Sequence, residues 1–522
     1  MTAGALDLSA AEAGERRRWF SRSGRIGSVA LVVGLIALYL GSRLWFMARL
    51  PYFLDEGIFA GYSYQGAQSD HQLFVSLTIG KEPLQAWLGI VWQWLGANPL
   101  MSMRLVSMTA GLLTVGVVGL LGCRLGGRTV GIVAAALCVT LPFFVVTDGI
   151  GIEEPLITLV MVSALYLQLR LAEDPSLLRG LFLTVVLAVG ILTKQTGQAA
   201  VILLPFSLVC FDFSAPDRRR RLGRWLGLVA IALVTVLAAE VVLRLSSYWG
   251  RGAVLLRSFP LVRTVGQVLS APFATSAHAW AVFRPALTGY VTLPLIAVGI
   301  LGAVLAFRAQ PRITSLLGVW IVLPFAAALT FTLVPYPRHV MYVLPQALVL
   351  IAYAGVWCAA RSRRAGRRTV LGLLGVGVTA LAMVPALLLD ARVLAHPRTV
   401  RYPGLDDLQY VTGAPAGGAW PALADVIRRR SGGRRTVILA AEADPNVIRF
   451  LLSADPASAA NPYSVVLPSD PRFAQSRFAI VDQLPFADQG ALRFIAREHF
   501  AVAGQFARPR GGAVVTLYER PR

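Results

Sequence analysis

Cysteine and lysine are both scarce in this chain of 522 residues. The four cysteines all lie within or at the ends of apolar segments: Cys123, Cys138, Cys210 and Cys358. None falls in a polar loop, so the sequence predicts no disulfide framework. Lysine occurs only as Lys81 and Lys194 among 49 basic residues, a bias that we attribute to base composition rather than to chemistry.

Several short motifs of catalytic and nucleotide-binding sites are also missing. The sequence has neither a G-x-G-x-x-G fingerprint nor a Walker-type phosphate loop, which excludes the common ways of binding a soluble nucleotide. It also lacks the H-E-x-x-H signature of zinc enzymes and the G-x-S-x-G nucleophile elbow. Any catalysis must therefore depend on other residues.

Long apolar runs dominate the chain instead. Hydrophobic residues make up 56% of the sequence, against about 45–50% in soluble domains, and the mean hydropathy is +0.64. Several runs reach roughly 20 residues, the length of a membrane-spanning helix. The net charge of +22 does not indicate nucleic-acid binding, because the basic residues cluster beside the apolar runs. The sequence predicts a polytopic α-helical membrane protein.

The apolar runs predict about eleven transmembrane helices. The first, at 27–48, follows a basic N-terminal arm at 1–26 and is too long for a signal-peptide core. The Trp-rich stretch 83–96 is too short to span and is typical of an interfacial helix. The other predicted spans are 102–122, 128–147, 153–172, 179–193, 197–212, 225–245, 289–308, 313–333, 340–359 and 369–389.

Charge in the loops predicts the orientation. The strongly basic loops, among them 217–224 and 361–368, fall on the side of the N-terminal arm if there are eleven spans. By the positive-inside rule that side is the cytoplasm. Because eleven is an odd number, the C-terminal region then lies on the outer face of the cell (inner) membrane. This region has short apolar runs between turns, typical of a small α/β domain. The predicted domains are the arm 1–26, a membrane domain 27–389 with outer catalytic loops 50–100 and 246–288, and an extracytoplasmic α/β domain 390–522.

Acidic residues are few and unevenly placed. Of 27 in all, twelve lie in the predicted membrane region, and seven of those twelve fall in two outer segments. The seven are Asp55, Glu56, Asp70, Glu82, Asp148, Glu153 and Glu154. They could simply be solvated loop charges. However, "PYFLDEGIFA" and "DGIGIEEPL" are otherwise apolar, and a carboxylate beside hydrocarbon is costly unless it is paired or functional.

This combination favours glycosyl transfer from a lipid-linked donor. A carboxylate can act as base on an acceptor hydroxyl, and a polyprenyl phosphate leaving group needs cations but no general acid. Lys81 and Lys194 both lie in outer loops beside spans, where an ammonium suits a phosphate. A membrane transporter or lipid flippase and a structural scaffold remain alternatives. A transporter would more often show internal repeats and charges at the membrane midplane.

The same residues give the sequence a resemblance to a known family. Six motifs occur in order: Asp55-Glu56 after the first span, "KEPL" with Lys81 and Glu82, Arg104 in "SMRLVS", "EPLIT" from Glu154, "LTK" ending in Lys194, and "PRHVMYVLP" with Arg338, His339, Tyr342 and Pro345. Over about residues 27–360 the chain resembles the lipid-phosphosugar-dependent glycosyltransferases of the C superfamily (GT-C). Within it, the chain is similar to the family of protein O-mannosyltransferases and the aminoarabinose transferase of lipid A. Glu82 departs from the family pattern, which has proline there.

The resemblance implies an inverting glycosyltransferase that moves a sugar from a polyprenyl-phosphate donor to a protein, lipid or glycan acceptor on the outer face. Asp55 would be the catalytic base, and Glu56 would shape the site. Supporting or donor-binding roles would fall to Glu56, Lys81, Glu82, Arg104, Asp148, Glu154, Lys194, Arg338, His339 and Tyr342. The cations of this set would contact the donor phosphate or hold the acidic loops. Asp148 and Glu154 would position the sugar or support the base.

Some assignments stay open at this level. No cofactor is certain. In some members of the family a carboxylate and a histidine hold a metal, so a divalent metal on Glu82 with His71 or His278 is one option. Other roles for single side chains are an interfacial anchor for Arg104, His339 and Tyr342, and a helix cap for Lys194.

Overall fold

A computed structural model gives the fold for residues 22–364, 370–441, 445–453, 455–482 and 488–521. Most of the predicted basic arm therefore lies outside the described residues. Seven helices in these ranges are long and apolar enough to cross a membrane, or eight if a pair bent by 87° at Thr292 forms one span. The seven candidate spans are Val29–Met47, Pro99–Thr140, Glu154–Glu173, Arg218–Leu245, Pro311–Phe331, Pro337–Arg361 and Gly377–Ala395. The chain is a multi-pass membrane protein.

The longest of these helices, Pro99–Thr140, is a hairpin of two antiparallel limbs. Its 42 residues would measure about 63 Å if straight, twice the thickness of the hydrocarbon core. The direction reverses at Gly126 and Gly127, and Gly127 has a φ of 81°, which glycine adopts without strain. The limbs pack so closely near Gly131 that a side chain there would meet Cys123. The predicted spans 102–122 and 128–147 correspond to these limbs.

Two shorter apolar helices, Leu177–Thr193 and Gln195–Cys210, occupy the positions of two further predicted spans. Adding these two helices and the second hairpin limb to the eight candidate spans gives eleven, which is the predicted number. That all eleven cross the membrane remains a prediction. Shorter helices complete the helical part: Leu54–Gln68, Leu84–Trp94, Pro142–Thr147, Ser247–Ser258, Val265–Ser270 and Ser276–Ala286. Three of the candidate spans above belong to helices with other bounds: the bent pair ends in Leu293–Ala309, and the last two spans lie largely in Leu344–Arg364 and Val370–Ala395. The helix Val370–Ala395 passes the predicted domain boundary at 390.

The C-terminal region contains a five-stranded mixed sheet. The strands are β1 (Thr436–Ala440), β2 (Tyr463–Val466), β3 (Phe478–Val481), β4 (Ala501–Ala507) and β5 (Val514–Glu519). Their spatial order is β2-β1-β3-β5-β4, with β1 parallel to β2 and β3, and β5 antiparallel to β3 and β4. Helices Trp420–Ser431 and Pro445–Leu452 cover one face, and Gln489–Arg497 covers the other. The predicted small α/β domain is confirmed.

This domain packs against the polar segment that follows the first span. The helix Pro445–Leu452, which follows β1, lies on the helix Leu54–Gln68. Phe450 joins an apolar cluster there with Phe59 and Met103. The backbone N–H of Leu54 donates to the carbonyl of Pro415 at 3.0 Å. The domain therefore forms one wall of the region that holds Asp55 and Glu56.

Candidate functional site

Glu56 is buried at the start of the helix Leu54–Gln68, where the helix dipole favours negative charge. Its two carboxylate oxygens accept hydrogen bonds from Nε and Nη2 of Arg104 at 2.6 and 2.8 Å. They also accept from the backbone N–H groups of Phe53 and Gly151. Glu56 therefore ties the first acidic segment to the second and has little capacity left for a substrate.

Arg104 is fully buried on the first turns of the hairpin helix. Besides its bidentate bond to Glu56, Arg104 donates through Nη1 to the carbonyls of Met47 and Leu50. Its Cζ lies 4.0 Å from the centroid of the Tyr52 ring. These contacts fasten the end of the first span to the loop that carries Asp55. The sequence left open whether Arg104 contacts the donor phosphate, anchors the helix at the membrane interface or holds the acidic loops. These contacts fit the last of the three roles.

Asp55 is held by one oxygen and open at the other. Its Oδ2 lies 2.5 Å from Nη2 of Arg338, while Oδ1 accepts no hydrogen bond among the described residues. The Asp55 side chain is 30% exposed, whereas Glu56 is inaccessible. A carboxylate fixed at one oxygen and accessible at the other can take a proton from a bound hydroxyl group.

Arg338 joins the two acidic segments. It lies in the short 3₁₀ turn Pro337–Val343, and its Nε is 3.3 Å from Oε1 of Glu154 while its Nη2 binds Asp55. Glu154 begins the helix Glu154–Glu173, with proline at the next position as helix N-termini favour. The guanidinium thus sets the position of the two carboxylates relative to each other.

Two ammonium groups complete the cluster. Lys81 donates to Oε1 of Glu153 at 2.6 Å, and Lys194 donates to Glu154 at 2.9 Å and lies 3.5 Å from Glu153. Burial lowers the pKa of Lys194, but the carboxylates of Glu153 and Glu154 more than offset this and raise it. The Lys81 side chain is 32% exposed, so it has room for a further anionic partner.

Glu82 is a buried carboxylate next to this cluster. Its burial, together with the charge of Glu153, raises its pKa to about 8. It lines a cavity of about 230 Å³ whose other polar walls are Gln195, Gln198, Glu240 and Arg244. Glu240 and Arg244 form the ion pair expected from their spacing, at 2.8 Å. The cavity lies beside the cations rather than beside Asp55.

Asp148 is not part of the cluster of Asp55, Glu154 and Arg338. It is fully buried, accepts a hydrogen bond from the hydroxyl of Tyr39 at 3.0 Å, and lies 3.6 Å from Nη2 of Arg43. Burial raises its pKa to about 7. Its observed contacts join the second acidic segment to the first span. His339 lies close enough to Glu154 to interact electrostatically, and Tyr342 is buried near Lys194.

Gln409 is a site residue that the sequence reasoning missed. Its side-chain oxygen accepts a hydrogen bond from Nη1 of Arg338 at 2.9 Å, so it holds the guanidinium as a third partner besides Asp55 and Glu154. The next residue, Tyr410, packs its ring edge-on against Phe53 at 5.2 Å. The adjacent carboxylates Asp406 and Asp407 in this otherwise apolar stretch could have marked it as part of the site. The sequence analysis assigned the stretch to the C-terminal domain and placed the site in the loops of the membrane domain.

The residues do not suit a bound metal. Within the described ranges, no three His, Cys, Asp or Glu side chains are grouped so that they could hold a metal ion. Glu82, the carboxylate of the predicted metal option, has the ammonium groups of Lys81 and Lys194 in its electrostatic surroundings. Two cations beside a carboxylate favour an anionic ligand over a divalent cation. A divalent metal therefore stays only the option that the sequence left open.

Comparison with known proteins gives a family match over part of the chain. A family model described as dolichyl-phosphate-mannose-protein mannosyltransferase matches residues 81–243. That window contains Lys81, Arg104, Glu154 and Lys194. No curated protein gives a significant match.

Solved structures match nearly the whole chain. ArnT from Cupriavidus metallidurans bound to undecaprenyl phosphate has a TM-score of 0.61 at 16% identity, covering 95% of this chain and 98% of that one. Its apo form has a TM-score of 0.59 at 16% identity, with coverages of 94% and 98%. The apo oligosaccharyltransferase of Archaeoglobus fulgidus has a TM-score of 0.55 at 13% identity, with coverages of 89% and 70%. Both relatives are GT-C glycosyltransferases, so the resemblance found in the sequence is confirmed and the chain has the GT-C fold.

Proposed function

We propose that the protein is an integral membrane glycosyltransferase that takes its sugar from a polyprenyl-phosphate donor. The observation that carries this proposal is the state of Asp55, which Arg338 holds by Oδ2 while Oδ1 stays accessible. Two further features support it. Cations surround the neighbouring acidic segment, and ArnT, whose fold the chain shares, has been solved with undecaprenyl phosphate bound.

The proposed reaction is a direct displacement. Oδ1 of Asp55 accepts the proton of the acceptor hydroxyl as the acceptor oxygen forms a bond to the anomeric carbon. The bond from that carbon to the phosphate oxygen breaks, and its electron pair leaves with the polyprenyl phosphate. Attack opposite the leaving group inverts the anomeric configuration. The proton remains on Asp55 until water removes it.

The cations bound to Glu153 and Glu154 would receive the leaving group. Lys81 is the best placed, because its ammonium is partly exposed and a compact charge suits a phosphate. Glu82, the residue after Lys81, lines the neighbouring cavity, whose cationic wall is Arg244, paired with Glu240. A protonated Glu82 would not repel an anionic headgroup there. The sugar and the acceptor class, protein, lipid or glycan, are not determined by these contacts.

The basic loops support a topology with the cytoplasm on the side opposite the site. In that orientation the two acidic segments and the C-terminal domain lie on the outer face of the cell membrane. A donor made on the cytoplasmic side would have to reach this face before transfer. Cysteine labelling of residue 70 on intact cells would test the orientation, since Asp70 is exposed in the same segment.

One assay tests the reaction itself. Purified protein receives labelled polyprenyl-phosphate sugars, and the release of the lipid phosphate is measured. Asp55→Asn should lower the release by about 10²- to 10⁴-fold, the usual contribution of a general base. Asp70→Asn is the matched control, because it removes an exposed carboxylate from the same segment and should leave the rate unchanged. Substantial activity in Asp55→Asn would remove Asp55 from the base role. Failure of the wild type with every donor would favour a transporter or a scaffold.

A further inference from the structure

The C-terminal domain has a basic pocket that the proposed transfer reaction does not use. The pocket has a volume of about 250 Å³ and lies where β1 and β3 begin and β5 ends. Its charged lining consists of Arg434, Arg477 and Arg520, and Gln475 and Ser476 contribute polar walls. None of the acidic side chains in the described ranges lines it. The described part of the domain thus concentrates guanidinium groups at one edge of its sheet.

These arginines keep hydrogen-bonding capacity for a ligand. The guanidinium of Arg434 takes part in no ion pair or hydrogen bond within the described ranges, and the residue is exposed. Arg477 binds Glu519 through Nε and Nη2 and the carbonyl of Arg430 through Nη2, which leaves its Nη1 free within the described ranges. Arg520 binds Glu498 through Nη2 and the carbonyl of Ala474 through Nη1, which leaves its Nε free there. Guanidinium forks bind oxyanions in a bidentate way, so three of them around one pocket favour a phosphate or a carboxylate.

Ser476 gives a second, independent indication of a ligand. The residue is completely buried, and its hydroxyl has no hydrogen-bond partner among the described residues. A buried hydroxyl without a partner costs free energy, and native structures contain few of them. An oxyanion bound between Arg477 and Arg434 would supply the missing acceptor.

The position of the pocket decides which anion can reach it. The parallel strands β1, β2 and β3 end at the edge of the sheet that faces the helical part. There Asp482, directly after β3, is bonded to Arg508, which also donates to the carbonyl of Ala416. The pocket lies at the opposite edge, about 13–17 Å away for strands of four or five residues. Lipid headgroups of the same bilayer are thus on the wrong side of the sheet.

We propose that this pocket binds a phosphate or carboxylate group carried by a water-soluble polymer outside the bilayer. The site is separate from the cluster around Asp55 and would bind its ligand whether or not sugar transfer occurs. Its ligand class is an anionic chain with repeated oxyanions, because one pocket with three arginines takes one group and the exposed Arg435, next in sequence to Arg434, attracts the next.

Binding of inorganic tripolyphosphate to the full chain in phosphatidylcholine nanodiscs tests this site. Arg434→Gln and Arg520→Gln should each weaken binding by about tenfold, the loss expected for a charge-assisted hydrogen bond. Arg429→Gln is the matched control: it removes the same charge from an exposed position of the domain outside the pocket and should change the affinity less than twofold. Equal affinities for the wild type, Arg434→Gln and Arg429→Gln would overturn the proposal.

Ser476→Ala separates binding from folding. Since the hydroxyl has no partner, its removal should leave the melting temperature unchanged or raise it, while weakening tripolyphosphate binding severalfold. Unchanged binding in Ser476→Ala would overturn the role of this hydroxyl in the pocket. A second arm uses phosphatidylglycerol nanodiscs. If the anionic lipid competes with tripolyphosphate in the wild type and the Arg434→Gln substitution removes this competition, the ligand is a headgroup and the polymer assignment is wrong.

Discussion

Asp55 and Glu154, from the two acidic segments, bind the same guanidinium. Nη2 of Arg338 lies 2.5 Å from Oδ2 of Asp55, and its Nε lies 3.3 Å from Oε1 of Glu154. One rigid planar group thereby fixes the separation of two carboxylates that different helices carry. The late "PRHVMYVLP" element and the early Asp-Glu pair therefore lie together in one cluster.

Arg338→Lys should lower kcat strongly, because a single ammonium cannot bind Asp55 and Glu154 with the spacing of the guanidinium fork. We expect a fall of about 10- to 100-fold, the usual cost of a misplaced catalytic group. The measurement is steady-state release of polyprenyl phosphate. Arg308→Lys, at an exposed helix end, is the control. Full activity in Arg338→Lys would show that the bridge does not position the base.

Gln409→Leu should reduce kcat while leaving the KM for the donor nearly unchanged. Gln409 touches Arg338 and not the cationic pair of lysines, so its loss disturbs the orientation of the base rather than donor binding. Gln409→Glu keeps an acceptor oxygen for Arg338 and should retain more activity than Gln409→Leu. The reverse order would mean that the hydrogen bond at 2.9 Å does not matter for positioning.

Glu56→Gln should destabilise the protein more than any surface change. It leaves the buried Arg104 without its counter-charge, which costs about 3–5 kcal/mol. Thermal unfolding in detergent measures the effect, with Asp70→Asn as the exposed comparison. In the double variant with Arg104→Met the loss should be smaller than the sum of the two single losses, since the pair acts as a unit. A stable but inactive Glu56→Gln protein would instead place Glu56 in the chemistry.

Lys81→Ala should weaken the use of the donor more than the use of the acceptor. Its ammonium is the partly exposed cation of the cluster, and a phosphate bound there would lose one charge-assisted hydrogen bond. The KM for the donor should rise about tenfold, with a much smaller change in the KM for the acceptor. Equal changes in both constants would count against a phosphate contact.

Glu82 should make stability depend on pH. Its folded-state pKa of about 8 lies above the ordinary value of 4.5, so the folded protein keeps a proton that the unfolded chain releases. Its contribution to stability is therefore fully present below about pH 4.5 and declines as the pH rises to about 8. Glu82→Gln has no such decline, and its advantage over the wild type should grow through this window to at most about 5 kcal/mol. The test is the melting temperature of the wild type and of Glu82→Gln at pH 5 and pH 9. If the two melting temperatures change equally with pH, the pKa of Glu82 is not raised.

The sequence predicted the fold class well because membrane spans depend on length and hydropathy, which are local properties. The α/β character of the C-terminal region was also local, visible in short apolar runs between turns. The hairpin was accessible to local reasoning as well, since the predicted spans 102–122 and 128–147 lie on either side of Gly126 and Gly127, where the helix reverses.

The contacts inside the site were less accessible to sequence reasoning. The order of motifs placed Asp55, Glu154 and Arg338 in one region, but not the partner of each group. Side-chain partners depend on tertiary packing, and so Asp148, predicted beside Glu154, binds Tyr39 and Arg43 instead. Gln409 was missed because its segment returns to the site only when the C-terminal domain packs on the helices.

The packing of Phe450 against Phe59 and Met103 means that the C-terminal domain cannot be treated as an accessory module. Chains cut after Ala395 would lose Gln409 and would present to water the apolar surface that Phe450 now covers. Loss of the domain would thus appear as misfolding as well as inactivity. We therefore expect the two parts of the chain to unfold together rather than one after the other.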